Sequence, residues 1–189
     1  MKRVKHFLLA SCLLPAFLGA QGVANASFLE ITPDAQSAGM AGTGLTITDN
    51  GSTAIFHNAS TIAFSQDVMG ASYSYADINK DYGMHSASLF YRIGREGKHG
   101  FTVGFRHYKD ADFHWEDGPK DHARAWNLEA AYFRNIAKNL SVSLTLRYLQ
   151  AKAYKDADSK GSVSMDFGAS YHRSMAILDE MASWTIGFQ

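Results

Sequence analysis

Apolar and polar side chains alternate along Leu140-Ser-Val-Ser-Leu-Thr-Leu-Arg-Tyr148. Leu140, Val142, Leu144, Leu146 and Tyr148 share one parity; Ser141, Ser143, Thr145 and Arg147 share the other. Successive side chains on a strand point to opposite faces, so this segment predicts a strand with one apolar and one wet face. The same period marks six more segments, near residues 67–76, 84–93, 99–108, 123–134, 162–172 and 183–189. Their apolar parity includes Met69, Leu89, Val103, Phe105, Leu128, Met165, Phe167 and Ile186, and the opposite parity is mostly Ser, Thr, Gly, Asn and charge. Tyr75, Tyr91, Tyr132, Tyr148 and Tyr171 fall at strand ends. In a soluble sandwich the apolar faces would cover one another. In an outer-membrane barrel they meet lipid, aromatic girdles mark the interfaces and the wet faces line the lumen.

The start of the chain favours the second solvent. Lys2, Arg3 and Lys5 precede an apolar run over residues 7–18, and Ala24-Asn25-Ala26 supplies a small-x-small cleavage site. These are the parts of a signal peptide over residues 1–26, too short in its apolar run to span a bilayer, with the mature chain beginning at Ser27. Leu9-Ala10-Ser11-Cys12 also fits a lipoprotein processing box, although little apolar sequence precedes it. Removing the leader takes three of the 18 basic residues and none of the 18 acidic ones, leaving a formal charge of −3. That balance gives no footprint for nucleic acid. Cys12 is the single cysteine and leaves with the leader, so the mature chain has neither disulfide nor thiolate chemistry.

The organisation expected is therefore a leader (1–26), a plug segment (27–66) and seven strands (67–189) of an all-β, antiparallel transmembrane barrel. Residues 94–98 and 135–139 read as short turns, and 109–122 and 150–161 as long polar loops. Outer-membrane barrels keep short turns in the periplasm and long loops outside, which places the N-terminus in the periplasm. Residues 173–182 carry Met175, Ile177, Leu178 and Met181 at helical spacing and read as a short helix. An odd strand count leaves two edges in lipid, so the expectation is the N-terminal half of a larger, even-stranded barrel.

The segment before the strands is rich in small residues and lacks period two. It runs Phe28-Leu-x-Ile-x-Pro33-Asp34-Ala35-x-Ser-Ala38-Gly39-Met-x-Gly42, then Asp49-Asn50 and Ala54-x-Phe56-x-Asn58. The spacing of Gly39, Gly42 and Gly44 is wrong for a phosphate-binding loop, and no strand precedes it. In these residues the chain resembles the PorV/PorQ family of outer-membrane proteins, which belongs with the FadL-like barrels. That family's opening region carries an Asn-Pro-Ala; the matching stretch here is Asn58-Ala59-Ser60. The resemblance implies a fourteen-stranded barrel with an N-terminal plug in a Bacteroidetes-type outer membrane. It further implies a role in type IX secretion, binding secreted cargo proteins and passing them to a surface attachment complex. FadL-like relatives instead pass hydrophobic small molecules.

Four charges of alternating sign fall on the wet parity of four successive strands: Arg106, Glu129, Arg147 and Asp166. Cross-strand neighbours lie close enough to pair, so a charge ladder is expected, serving to hold the plug or to filter solutes. The loop over residues 109–122 holds Asp110, Asp112, His114, Glu116, Asp117, Asp121 and His122, without the ligand spacing of a defined metal site. No metal or other cofactor is expected there. Phe113 and Trp115 on that loop, with Tyr154 on the loop over residues 150–161, are the candidate partner contacts. His85, His107 and His172 sit at strand ends, but no Gly-x-Ser-x-Gly or His-Glu-x-x-His places a nucleophile beside a base, and no enzyme is expected.

Overall fold

Seven long strands pair in antiparallel order into one sheet that curls into a half-barrel. They are β1 (Met69–Asn79), β2 (Tyr82–Ile93), β3 (His99–Lys109), β6 (Arg124–Ala137), β7 (Leu140–Lys152), β8 (Lys160–Ile177) and β9 (Glu180–Phe188). Two short pieces, β4 (Phe113–His114) and β5 (Lys120–Asp121), pair as a separate ribbon between β3 and β6. The structure, a computed structural model, describes residues 26–79, 82–94, 98–110, 113–114, 120–154, 158–177 and 180–189. The expected leader, apart from Ala26, and the side chain of Trp115 lie outside the described residues.

Alternation dictates which way each side chain faces, and the outcome is inverted relative to a water-soluble sheet. Outward-facing Leu89, Phe101, Leu128, Leu146, Met165 and Ile186 are all exposed. Inward-facing Ser88, Thr102, Arg106, Asn127, Glu129, Ser143 and Thr145 are all buried. Aromatic contacts ring the outside at two heights. Tyr75–His85 (4.7 Å) and Trp126–Tyr148 (5.5 Å) lie towards the long loops. Phe101–Tyr132 (5.1 Å) and Tyr171–Trp184 (5.2 Å) lie towards the short turns.

The N-terminal segment covers the inner face. It contains 3-10 turns at Ala26–Glu30, Ala54–Phe56 and Ala59–Phe64, and the helix α1 (Ala35–Gly39). None is long enough to be stable alone, so the wall must stabilise them. Ile55, Phe56, Ala59, Ile62 and Ala63 pack with Phe90, Ala131 and Phe133 near the turn end. Phe28 packs with Met84, Ala125, Leu149 and Ala151 near the loop end. Fully burying a side chain such as Ile55 or Ile62 contributes about 1.5–3 kcal/mol. The inner wall is thus apolar at both ends and polar between.

The short helix expected over residues 173–182 is not what the described part of that stretch forms: residues 173–177 and 180–182 are strand, and 178–179 lie outside the described residues. Arg173, Ser174 and Met175 pair with Trp184, Ser183 and Ala182, extending the β8–β9 ladder. A pair of strands satisfies the backbone with partners already in register, whereas a helix here would have to end the ladder and start again. The turn expected over residues 135–139 is tighter, at Lys138–Asn139, with a register shift between Asn135 and Ala137 that leaves Ile136 unpaired.

α1 ends in a Schellman arrangement. The Gly42 N–H donates to the Ser37 carbonyl at 2.7 Å and the Ala41 N–H to the Ala38 carbonyl at 3.1 Å. Ala41 occupies the left-handed position with φ 57°, where a Cβ is unfavourable. Ala41→Gly is expected to stabilise the protein by about 1 kcal/mol, read as a raised thermal midpoint. An unchanged or lowered midpoint would mean that the strain is absent.

Candidate functional site

The four wet-face charges meet at the middle of the inner wall. Glu129 lies directly opposite Arg147, while Arg106 stands opposite Asn127 and reaches Glu129 diagonally. The Arg106 Nη2 is 2.6 Å from Glu129 Oε1, Arg147 Nη2 is 3.2 Å from Glu129 Oε2, and Arg147 Nη1 is 3.0 Å from Asp166 Oδ2. Asn127 Nδ2 donates a further hydrogen bond to Glu129 Oε1 at 2.5 Å. Glu129 has no exposed surface and Arg106 only 2%, so neither charge could persist without the other. Two guanidinium groups and two carboxylates balance to zero, and both carboxylates are occupied by arginine. The cluster is structural in charge balance and has no free base.

Arg106 also joins wall to plug. Its Nη1 donates to the Leu29 carbonyl at 3.1 Å, and its guanidinium carbon lies 5.1 Å from the Phe56 ring centroid. One side chain therefore contacts two separate pieces of the N-terminal segment while its charge is neutralised in the wall. Arg92 does similar work near the turn end, donating to the carbonyls of Ala63, Ser65 and Asp67 where the Ala59–Phe64 turn leaves carbonyls without intrahelical partners.

The plug residues read from the sequence divide by role. Asn58 is 1% exposed and caps the Ala59–Phe64 turn, accepting from the Ser60 N–H at 3.1 Å. Its amide nitrogen faces Ser170 Oγ at 3.0 Å and the carbonyls of Ala169 and Leu45, each at 3.3 Å. This close approach needs a flat wall: a Cβ on Gly168 would lie 2.5 Å from Asn58 Oδ1 and 2.5 Å from Ser143 Oγ. Pro33 is buried, and its carbonyl accepts from the Ser74 hydroxyl on β1. Asp34 caps α1, accepting from the Ser37 N–H at 2.8 Å. Gly42 has a positive φ of 81°, whereas a Cβ on Gly39 would meet nothing within 4 Å. Gly39 is therefore not required by space or conformation.

His57 and Ser37 carry contacts that sequence spacing did not indicate. His57 Nε2 lies 2.8 Å from Asp34 Oδ2 and 3.1 Å from Ser37 Oγ. Serine, histidine and aspartate together invite comparison with a hydrolytic relay, but a relay uses opposite ring nitrogens for serine and carboxylate. Here both partners share Nε2, and Ser37 is fully buried. The trio instead ties α1 to the turn at Ala54–Phe56. Burial pushes the Asp34 carboxyl up, but the Ser37 amide, His57 and the Ser37 hydroxyl outweigh it and hold its pKa below the ordinary value of 3.8.

The candidate partner contacts are less closely placed. Phe113 lies in the β4–β5 ribbon, opposite Asp121, and Tyr154 is exposed beyond β7. Alternating strands put both segments at the same end of the sheet. His122 Nε2 accepts from Arg124 Nε at 2.6 Å. Among the described residues no three histidine, cysteine or carboxylate side chains gather as a metal site.

Glu129→Ala strands the buried Arg106 guanidinium and leaves Arg147 with Asp166 alone, and is expected to cost about 3–5 kcal/mol, measured by unfolding midpoint. A cost under about 1 kcal/mol would show that water replaces the carboxylate without penalty. Because the folded pKa of Asp34 is depressed, its contribution is fully present above pH 3.8 and is lost as pH falls through the lower folded value. The stability gap between wild type and Asp34→Asn is therefore expected to stay constant at neutral pH and narrow below pH 3.8. A gap that ignores acid would refute this role. No family model matches the chain, and no curated protein matches it.

Proposed function

We propose that the half-barrel is part of an outer-membrane β-barrel of the PorV/PorQ type, FadL-like in architecture, with the N-terminal segment as its lumenal plug. Its role is to bind secreted cargo proteins of a type IX system and hand them to other secretion components at the cell surface. The observation that carries the membrane part is the inversion of the sheet. Leu146 is 53% exposed in the middle of β7, while Glu129 beside it on the inner face is fully buried. Lipid is the solvent in which that arrangement is favourable. The two aromatic girdles and the short leader-like N-terminus agree with it.

β1 and β9 are the outer strands of the sheet and, as first and seventh in an antiparallel order, run in the same direction. Closing the wall with antiparallel pairs alone takes an odd number of further strands. Such closure satisfies the edge amides that lipid cannot.

Binding fits the inner face better than passage of a hydrophobic solute. The middle of the wall is Ser, Thr, Asn and paired charge, and its apolar ends are already filled by Phe28, Ile55 and Ile62. The surface left for recognition is at the loop end, where Phe113 and Tyr154 lie. Removing the gene is expected to strand cargo in the periplasm, and deleting residues 111–118 to weaken cargo capture. Normal secretion with lost uptake of an apolar compound would replace this reading by a FadL-like channel.

The membrane part has a separate test in Leu146→Arg. In lipid this change is expected to cost about 2–4 kcal/mol. An equally exposed leucine in water would change stability by no more than about 0.5 kcal/mol. Folding assays in bilayers separate the two values.

A further inference from the structure

At the turn end, β8 outruns its neighbour. β7 begins at Leu140, opposite Tyr171, and the last bond across this seam is from the His172 N–H to the Asn139 carbonyl at 2.9 Å. β8 continues to Ile177, paired only with β9. By strand parity the Ser174 N–H points the same way as that of His172, past the Lys138–Asn139 turn, where no strand accepts it. The step between the turn and the protruding hairpin forms an open groove of about 690 Å³.

The groove gathers donors. Lys138 and Arg173 line it from opposite sides, both exposed, and among the described residues neither has an ion-pair partner. Asn139 and Ser174 also line it, and the Ser174 N–H adds a neutral donor. Tyr171 forms an apolar wall and packs against Trp184, the two rings tilted by 37°, in the turn-side girdle, which sets the groove at the edge of the proposed apolar band. Two cations, an unpaired backbone donor and an aromatic wall at that height suit an anion carried on an apolar stem. A planar guanidinium with an ammonium beside it recognises phosphate oxygens in particular.

We infer that the groove between the Lys138–Asn139 turn and the β8–β9 hairpin binds the phosphate of a lipid headgroup in the leaflet on the turn side. The inference rests on the membrane reading above, although phosphate recognition by the groove itself does not. Tyr171 and Trp184 take the start of the acyl region, while Lys138 and Arg173 hold the phosphate. Each cation near an anionic membrane surface contributes about 1 kcal/mol. Losing both weakens binding by about 30-fold.

The test uses the protein purified in mild detergent, compared with Lys138→Gln/Arg173→Gln. Both side chains are exposed and among the described residues neither forms an ion pair, so the variant is expected to retain the wild-type thermal midpoint without lipid. Retention of phosphatidylglycerol against phosphatidylcholine is read by native mass spectrometry, protection by inorganic phosphate by thermal shift, and insertion by flotation with vesicles. The expected result is flotation of both proteins, with phosphatidylglycerol held by wild type and lost about 30-fold by the variant. Equal retention by both overturns the site. If neither protein floats, yet inorganic phosphate protects wild type alone, the groove is a phosphate site with a soluble source, and the membrane reading and the lipid assignment both fail. No flotation and no protection overturn the inference altogether.

Discussion

Glu129 holds a negative charge where no solvent reaches it, and the inner face is arranged to make that tolerable. A carboxylate so placed requires cations within hydrogen-bonding distance, and the sheet supplies Arg106 and Arg147 from the strands on either side. Those guanidinium groups need partners of their own, and Arg106 finds two in the N-terminal segment, the Leu29 carbonyl and the Phe56 ring. The N-terminal segment therefore completes the contacts of the buried guanidinium, and the wall in turn holds turns and a helix too short to persist alone. Neither could be arranged as it is without the other.

Around this centre the interactions change character in layers. Ion pairs and amides occupy the middle, and the apolar clusters about Phe133 and Phe28 close each end. Polar groups in a confined space are costly to leave unmatched, and several here, including Arg106 Nε and Ser143 Oγ, have no protein partner. The apolar ends keep that middle layer from bulk water. They also hold Asn58 against Gly168, where a methyl group on the wall would push the capping amide out of reach.

Much of the wall was legible because a strand has one simple period. Leu140 to Tyr148 announces its two faces, and the same parity puts Arg106, Glu129, Arg147 and Asp166 on the inner side before any register is known. Register then decides which pairs form, and it is set by turns and bulges such as the shift after Asn135, which leave little trace in sequence. Phe90 and Phe133 stand on the wet parity, apolar among Ser, Thr and charge, so alternation alone assigns them no purpose; they pack in one cluster with Ile55 and Ile62. Over residues 173–182 the helical spacing of Met175, Ile177, Leu178 and Met181 misleads, because three of the four also share one strand parity and cross-strand pairing decides for strand at Arg173–Ile177. His57 meets Asp34 and Ser37 across about twenty residues, a contact that only the folded plug creates.

The two ends of the sheet are built for different neighbours. At the turn end Lys138–Asn139 is a tight connection, Tyr132, Tyr171 and Trp184 make aromatic contacts on the outer face, and Arg134, Lys138 and Arg173 stand exposed near them. Aromatic rings backed by cations in this way suit the membrane boundary proposed above. At the loop end Tyr154 is exposed, and Phe28 and Leu149 belong to the apolar cluster of the inner face. The N-terminal segment does not leave this face at low cost. Leaving would strip Arg106 of its contacts with Leu29 and Phe56 and expose Ile55 and Ile62 together, so small fluctuations do not detach it. Segment and wall are one cooperative unit, held by buried charge at the middle and by apolar packing on either side of it.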